Sequence, residues 1–426
     1  MTLGCPKNDV DSEVLAGYLQ EDGFMLISRP EEADVILVNT CGFIESAKQE
    51  SIQEILELIQ LKETDQNLEI YVWGCLAERY REELPAEIPE ADGFFGVEAF
   101  DQIRSTLLQK SDLSGYPAGF RVLSTPPHTA YLKIAEGCSH QCAFCAIPLF
   151  KGKYRSRHVR DLIDEAQGLA KRGVRELSLI AQDTTAYGMD LNDPSDLPAL
   201  LRELVRIDGI EWIRILYAHP LHVRDDLIRI IAEEEKICKY LDMPLQHINT
   251  AILKKMGRGM RREEVEDLLC KLSSEIPGLT LRTAFIAGFP GETDEAFEEL
   301  LDFIRTTKFE RLGAFVYSPE EGTSAFSFES VPSKSAAENR FDQIMQAQQE
   351  ISLELNETLI GKTIRVLVDE FDAAQQLYAG RSEGDALEID QTVWIHGECD
   401  IGSIIPVKIT DADVYDLVGV VNPAQS

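Results

Sequence analysis

The chain is 426 residues long, with 41 basic and 74 acidic side chains and a formal charge of −33 at pH 7. A hydrophobic fraction of 44 % and an aromatic fraction of 8 % exclude a disordered polymer, and the length calls for two or three domains rather than one core. The charge excludes a protein that grips phosphate backbones over its whole surface, which would need Lys and Arg against phosphate; it is compatible with plain solubility or with a basic macromolecular partner.

The start, Met1-Thr2-Leu3-Gly4-Cys5-Pro6-Lys7-Asn8, has no apolar h-region of a signal peptide. Apolar runs such as Val35-Ile36-Leu37-Val38 fall far short of the ~20 residues of a membrane span. A cytoplasmic location without membrane contact is expected, and the nine cysteines read as thiols or metal ligands before disulfides.

In chain order, Val35–Thr40 reads as a buried strand running into Cys41. A helical pattern carrying Ile44, Ile52, Ile55, Leu56 and Ile59 follows, then a second strand over Glu69–Trp73 that closes on Gly74-Cys75. Strand–helix–strand units imply a parallel sheet covered by helices. The pattern breaks at Tyr116-Pro117-Ala118-Gly119 and Thr125-Pro126-Pro127, which places a domain boundary near residue 125. Beyond it six apolar runs recur with helical stretches between them: Ala130–Ile134, Glu176–Ala181, Trp212–Tyr217, Lys239–Met243, Leu279–Ala287 and Gly313–Tyr317. Six such units predict a partial (β/α)6 barrel, short of the usual eight. A long polar helix over about Ser335–Leu359 leads to short β-rich runs, Ile364–Val368, Thr392–Ile395, Ile404–Ile409 and Asp416–Val421, read as a small antiparallel β-barrel. The expected fold class is therefore α/β with three domains, over 1–125, 126–356 and 357–426. Their net charges are −15, −9 and −9, so the small C-terminal domain is strongly acidic for its size.

Cys138-Ser139-His140-Gln141-Cys142-Ala143-Phe144-Cys145 is the strongest local signal. Three thiolates on one loop cannot close a four-cysteine zinc site unaided, but they can hold three irons of a 4Fe–4S cluster and leave the fourth open. The alternative is a zinc knuckle borrowing a fourth ligand such as His140. The loop follows the first barrel strand, at the C-terminal mouth where such folds keep their chemistry. Cys5, Cys41 and Cys75 form a second set. Each lies at the start of a loop, and carboxyl ends of neighbouring strands converge on one crevice; by spacing alone they are as well read as buried structural cysteines. Cys238, Cys270 and Cys399 have no partner spacing and read as packing residues.

The C-x3-C-x2-C loop, with Phe144 before its last cysteine, resembles the radical S-adenosylmethionine (SAM) superfamily, in which the open iron binds SAM and an electron cleaves it to methionine and a 5′-deoxyadenosyl radical. Gly4-Cys5-Pro6-Lys7-Asn8, Asn39-Thr40-Cys41 and Gly74-Cys75 resemble the N-terminal domain of the methylthiotransferases, which implies that Cys5, Cys41 and Cys75 ligate an auxiliary 4Fe–4S cluster and that Cys138, Cys142 and Cys145 ligate the SAM-cleaving one. Relatives carry a full strand before the Gly-Cys-Pro segment where this chain has only Met1-Thr2-Leu3, so a shortened first strand is expected.

Within that family the segments Ala181-Gln182-Asp183-Thr184-Thr185, Asp242-Met243-Pro244-Leu245-Gln246-His247-Ile248 and Tyr317-Ser318-Pro319-Glu320-Glu321-Gly322-Thr323 resemble the branch that modifies the β-carbon of an aspartate of ribosomal protein S12. They differ from the branch that modifies tRNA adenosine, which is the alternative reading; a non-catalytic iron–sulfur protein is a further one. The C-terminal domain resembles TRAM, basic in tRNA-binding relatives and acidic here, which suits a basic ribosomal protein, free or on the small subunit, over nucleic acid as substrate. The resemblance also implies a low-potential electron donor. It places SAM contacts at Gln182 and Asp183, at Arg155 and Arg157 for its carboxylate, and at Gly288 and Gly291 near its adenine. The last two have an equally ordinary reading as a βα turn.

Overall fold

The computed structural model describes residues 1–63, 65–108, 121–192 and 195–421. Tyr116-Pro117-Ala118-Gly119, half of the expected domain boundary, lies outside the described residues.

The N-terminal part contains α1 (Pro6–Glu21), β1 (Val35–Thr40), α2 (Glu45–Leu61), β2 (Glu69–Gly74), α3 (Cys75–Arg79), α4 (Leu84–Glu87), β3 (Gly93–Phe95) and α5 (Phe100–Leu108). The strands form a parallel sheet in the order β1-β2-β3. Residues 1–3 extend it on the outer side of β1, through a parallel bridge between Thr2 and Asn39 and a 2.9 Å bond from the Leu3 amide to the Asn39 carbonyl. Ile36, Val38, Ile70 and Val72 pack against Ile55 and Leu58 of α2, as a parallel sheet covered by helices requires.

The central part comprises β4 (Thr129–Lys133), β5 (Ala135–Glu136), α6 (Ile147–Phe150), β6 (Arg155–Ser156), α7 (Val159–Lys171), β7 (Glu176–Ile180), α8 (Leu197–Leu204), β8 (Trp212–Ile215), α9 (Asp225–Glu233), β9 (Ile237–Asp242), α10 (Thr250–Met256), α11 (Arg262–Glu275), β10 (Thr280–Ala287), α12 (Asp294–Thr307), β11 (Arg311–Val316) and α13 (Lys334–Glu357). Six of these strands pair in the order β4-β7-β8-β9-β10-β11, all parallel, and the sheet stays open between β4 and β11. Every expected barrel run is a strand of it. The period-two alternation of side chains divides the sheet: Leu132, Leu177, Leu179, Ile213 and Ile215 join the core under the surrounding helices, whereas Tyr131, Ile180, Trp212, Cys238 and Tyr240 face the hollow side.

A partial barrel cannot fill its own hollow. Here Val10, Val14 and Tyr18 of α1 enter it from the N-terminal part, and Leu367 and Ala386 enter from the C-terminal domain. That domain is a closed barrel of β12 (Thr363–Asp372), β13 (Leu377–Ser382), β14 (Thr392–His396), β15 (Ile404–Ala412) and β16 (Asp416–Val421), ordered β12-β13-β14-β16-β15. The β14–β16 pair is parallel and the others are antiparallel. The strand β13 is absent from the sequence reading because Leu377-Tyr378-Ala379-Gly380-Arg381-Ser382 is interrupted by Gly380 and a buried arginine.

The C-terminal domain docks by ion pairs. Glu176, fully buried on β7, receives Arg214 Nε at 3.0 Å and Arg381 at 2.7 Å; Arg381 Nε also reaches Asp369 at 2.8 Å. Arg311 pairs with Asp385 at 2.7 Å, and Tyr240 donates to Asp390 at 2.7 Å. Part of the acidity counted in this domain is therefore internal, while Glu370, Glu398, Asp400, Asp411 and Asp413 remain exposed.

Of the cysteines read as packing residues, Cys238 is fully buried and Cys399 half-buried, but Cys270 is exposed. The buried side of α11 holds Val265 and Leu272. At about 100° per residue Cys270 falls off that stripe, so it does not pack.

Candidate functional site

The two cysteine sets come together where the N-terminal part meets the mouth of the barrel. Cys5 caps α1, whose first residue is Pro6; Cys75 opens α3; only Cys41 sits in an open loop. Two of the three thiols expected at loop starts are thus at helix N-termini, where exposed amides favour negative charge. Asn8, 1 % exposed, stitches the loops together. Its side-chain amide donates to the Leu3 carbonyl at 2.8 Å and the Thr40 carbonyl at 3.3 Å, and its oxygen lies 3.7 Å from Cys75 Sγ. Asn39 donates to the Asn8 carbonyl at 2.9 Å, and the Cys41 amide donates to Ser51 Oγ at 3.0 Å.

Glycines make the approach possible. Gly4 has φ +100, and a Cβ on it would lie 2.7 Å from Cys41 Cβ; one on Gly42 would lie 2.9 Å from the Cys75 carbonyl. Burial pushes the Cys41 thiol up to about 11 and the Cys75 thiol up to about 12, so neither ionises at neutral pH without a cation to bind. Three converging thiols in a glycine-walled cradle fit an iron–sulfur group held by three cysteines.

The second set lies on the loop after β4 and β5. The Cys138 amide donates to the Gly152 carbonyl at 3.0 Å, and the Ala143 amide and carbonyl bond Met256 and Ala325 at 2.9 and 2.8 Å. Arg258, which follows α10, brings Nη1 to 3.7 Å from Cys142 Sγ and donates to the Pro244 carbonyl at 2.6 Å. Burial raises Cys138 to about 11 and Cys145 to about 12. This loop too holds three thiols and a nearby cation without supplying a fourth thiol, so the donor set fits a cluster with one open iron. His140 is not turned to the thiols as a zinc knuckle requires: its Nε2 sits 2.7 Å from Asp183 Oδ2.

The sets are neighbours. Cys75 packs with Ala146 and Phe150, directly after Cys145. A buried ionic knot joins the same two parts: Lys133 pairs with Asp11 of α1 and with Glu136 at 2.9 Å, and Lys151 lies 3.3 Å from Glu136 and 3.5 Å from Asp11. Outside the knot, Glu320 receives Arg79 at 2.7 Å and Lys48 at 3.0 Å. The Ser318–Thr323 segment thereby clamps the N-terminal part to the barrel.

The residues expected at SAM divide. Gln182 donates to Glu136, and its oxygen has no partner among the described residues. Asp183 accepts from His140 and His222, both at 2.7 Å, and from Thr185 at 2.6 Å. Against the desolvation of its burial, these bonds hold its carboxyl well below the usual range. Arg155 is exposed and pairs with Glu98 at 2.6 Å, while Arg157 donates to the Lys133 carbonyl at 2.8 Å and pairs with Glu165 at 2.7 Å. Phe144 meets Phe289 edge-on at 6.4 Å. Gly288 has φ +79, a Cβ there would collide with Ala337 of α13, and its amide donates to Glu292 at 2.6 Å; Gly291 lies against Lys255. Both glycines have positive φ, as a βα turn requires. Sequence reasoning missed Asn8, Arg258, His219, His222 and the knot of Lys133, Glu136 and Lys151. A histidine three residues after another, or a lysine behind a strand, carries no local signal; only folding brings them together.

Comparison with known proteins agrees with this geometry. Residues 1–96 match the family described as uncharacterized protein family UPF0004, residues 132–304 the radical SAM superfamily and residues 360–421 the TRAM domain. Among solved structures, the radical S-adenosylmethionine methyltransferase TsrM from Kitasatospora setae shares the fold at TM-score 0.54 and 14 % identity, over 83 % of this chain and 76 % of that one. Among curated relatives, the ribosomal protein uS12 methylthiotransferase RimO of Clostridioides difficile (strain 630) is 46 % identical over 98 % of this chain and 97 % of its own. Those of Geotalea uraniireducens (strain Rf4) and Anaeromyxobacter sp. (strain K) are 44 and 48 % identical over 99 and 98 % of this chain, and 98 and 92 % of theirs. With nearly half of its residues identical from end to end, the chain belongs to the RimO family of radical SAM methylthiotransferases.

Proposed function

We propose that this enzyme transfers a methylthio group to the β-carbon of an aspartate of ribosomal protein S12. The observation that carries the reading is the adjacency of two three-thiol sites, Cys5/Cys41/Cys75 and Cys138/Cys142/Cys145, across one buried interface in a chain of this family. The enzyme uses SAM and 4Fe–4S clusters. When bound, the group at Cys138, Cys142 and Cys145 supplies one-electron cleavage of SAM, and the group at Cys5, Cys41 and Cys75 supplies sulfur. An unactivated C–H bond is beyond the reach of side-chain acids and bases, which is why such chemistry is needed at all.

In this reading the chain's own residues set the stage. Asn8 and Asn39 hold three loops in register, Arg258 offsets negative charge at Cys142, and Gln182, whose side-chain oxygen has no partner among the described residues, offers an acceptor for the SAM amino group. Asp183 orients His140 and His222 around that strand end, and Phe144, Gly288 and Gly291 shape the apolar side toward the adenine. Arg155 and Arg157 would have to exchange their present partners to meet the SAM carboxylate. The functional units are taken as residues 1–125, 126–356 and 357–426. A low-potential donor supplies electrons, S12 is met free or on the small subunit in the cytoplasm, and nucleic acid is not the direct substrate. No helix among the described residues is long and apolar enough to cross a membrane.

The test is mass spectrometry of purified S12 after incubation with the iron-loaded enzyme, SAM and a reductant. One methylthio group on a single aspartate is expected. Unmodified S12, with tRNA modified in its place or bound tightly at physiological salt, would overturn the reading.

A further inference from the structure

Lys7 is two residues past Cys5, on the first turn of α1, yet its ammonium belongs to the barrel mouth. It sits 3.4 Å from the centroid of the Tyr217 ring, just beyond β8. The side chain is 9 % exposed and, among the described residues, makes no hydrogen bond or ion pair. A buried ammonium with no acceptor for its N–H groups is costly and calls for an explanation. The nearest carboxylates cannot supply one. Glu136 is held by Lys133, Lys151 and Gln182, and Asp242 by Arg282 at 2.9 Å and the Tyr217 amide at 3.2 Å. In the knot, two lysines face two carboxylates, so Lys7 stands beside it with no carboxylate of its own.

The platform beneath Lys7 is itself unusual. Tyr217 is a non-glycine residue at φ +60, a conformation that costs energy and persists where the fold over-determines it. Its phenol hydroxyl has no hydrogen-bond partner among the described residues, and Cys5 is close enough for its charge to act on both groups. Two uncommitted donors, an ammonium and a hydroxyl, therefore meet beside Cys5.

We infer that Lys7 and Tyr217 form the subsite for the side-chain carboxylate of the substrate aspartate. The inference rests on the proposed function and deepens it. An ammonium held over a ring, with a hydroxyl beside it, offers a carboxylate one charge-assisted bond and one neutral bond. That pairing supplies the acceptors that both donors lack and anchors the residue by its γ-carboxylate, leaving the β-carbon one bond away. An asparagine in the same place would bring no charge, so the subsite also selects aspartate.

The test compares the parent protein with Lys7→Met, Lys7→Arg and Tyr217→Phe, each iron-loaded, on S12 and on S12 carrying asparagine at the modified position. The readouts are KM, modified S12 per SAM cleaved, and iron per chain. Loss of one charge-assisted bond predicts that Lys7→Met raises KM for S12 by about 10- to 100-fold and lowers the coupling ratio. Lys7→Arg should recover part of both, and Tyr217→Phe, which keeps the ring, should raise KM by a smaller factor. The parent should discriminate against the asparagine substrate and Lys7→Met should not. Parent-like KM and discrimination in Lys7→Met would overturn the inference while leaving the proposed function intact. Loss of iron in Lys7→Met without recovery in Lys7→Arg would assign Lys7 to the cluster instead. A parent protein that modifies no S12 would overturn both.

Discussion

Replacing Glu176 with Gln removes the one anion that two buried arginines share. The Arg214 and Glu176 side chains are 0 % exposed and that of Arg381 is 5 % exposed, so neither arginine can turn to water. Two routes give the magnitude. The guanidinium charges of Arg381 and Arg214, acting against desolvation, hold Glu176 down at about 2 instead of 4.5. That difference corresponds to about 3 kcal/mol at about 1.4 kcal/mol per unit. Breaking a buried pair by removing one partner costs about 3–5 kcal/mol. A glutamine retains the bond from Thr129, so the lower value, about 3 kcal/mol, is expected.

The sign with pH follows. A carboxylate whose folded pKa is depressed contributes stability above its unfolded pKa, here about 4.5, and loses it as pH falls through about 2. The difference between parent and variant should be constant from pH 5 to 8 and narrow below pH 4.5. Urea unfolding followed by tryptophan fluorescence is the assay. Trp212 lies on this face, with Arg365 of the C-terminal barrel 5.7 Å from its ring, so early exposure of Trp212 would show the barrel undocking. A further Arg381→Met change should restore part of the loss. Destabilisation below about 1 kcal/mol at pH 7 would refute the reasoning, because exposed pairs give no more.

Three other outcomes are expected. Cys142→Ala should abolish SAM cleavage and lower iron by about four per chain; full turnover in that variant would sink the ligand assignment. Gly4→Ala puts a methyl against Cys41 at a left-handed φ and should lower iron at the N-terminal site, checked by iron counting in a Cys142→Ala background where the other cluster is absent. Asp9 is raised to about 6 by its burial and by Glu13, Glu388 and Asp11. Its ionised form therefore destabilises the fold above pH 6, and the penalty lifts as pH falls toward 4. After discounting for its partial exposure, Asp9→Asn should add about 1 kcal/mol at pH 8 and nothing at pH 4, read from urea midpoints at the two values.

Much of this protein is legible without coordinates, because its signals are local. The six barrel strands are period-two apolar runs of about five residues each, and such runs bury themselves as strands in any covered parallel sheet. Cys138, Cys142 and Cys145 are close in sequence, so one loop must bring them together whatever the rest does. The Cys5, Cys41 and Cys75 set has no such spacing; strand-end convergence left it open between a ligand set and buried structural cysteines, family resemblance decided the grouping, and the fold then showed how Asn8 ties the three loops. Charge is the clearest division between the two kinds of information. The sequence counts 13 acidic residues after residue 356, but it cannot say which face water. Asp369, Asp385 and Asp390 turn toward the barrel's arginines and tyrosine, leaving a smaller acidic surface than the count implied. The same holds for Lys7: as a residue it is one more lysine near the start of the chain. Only the packing of α1 into an open barrel makes it a buried cation with no hydrogen-bond acceptor among the described residues, because burial and pairing depend on the strands and helices that surround a side chain and not on its neighbours in sequence.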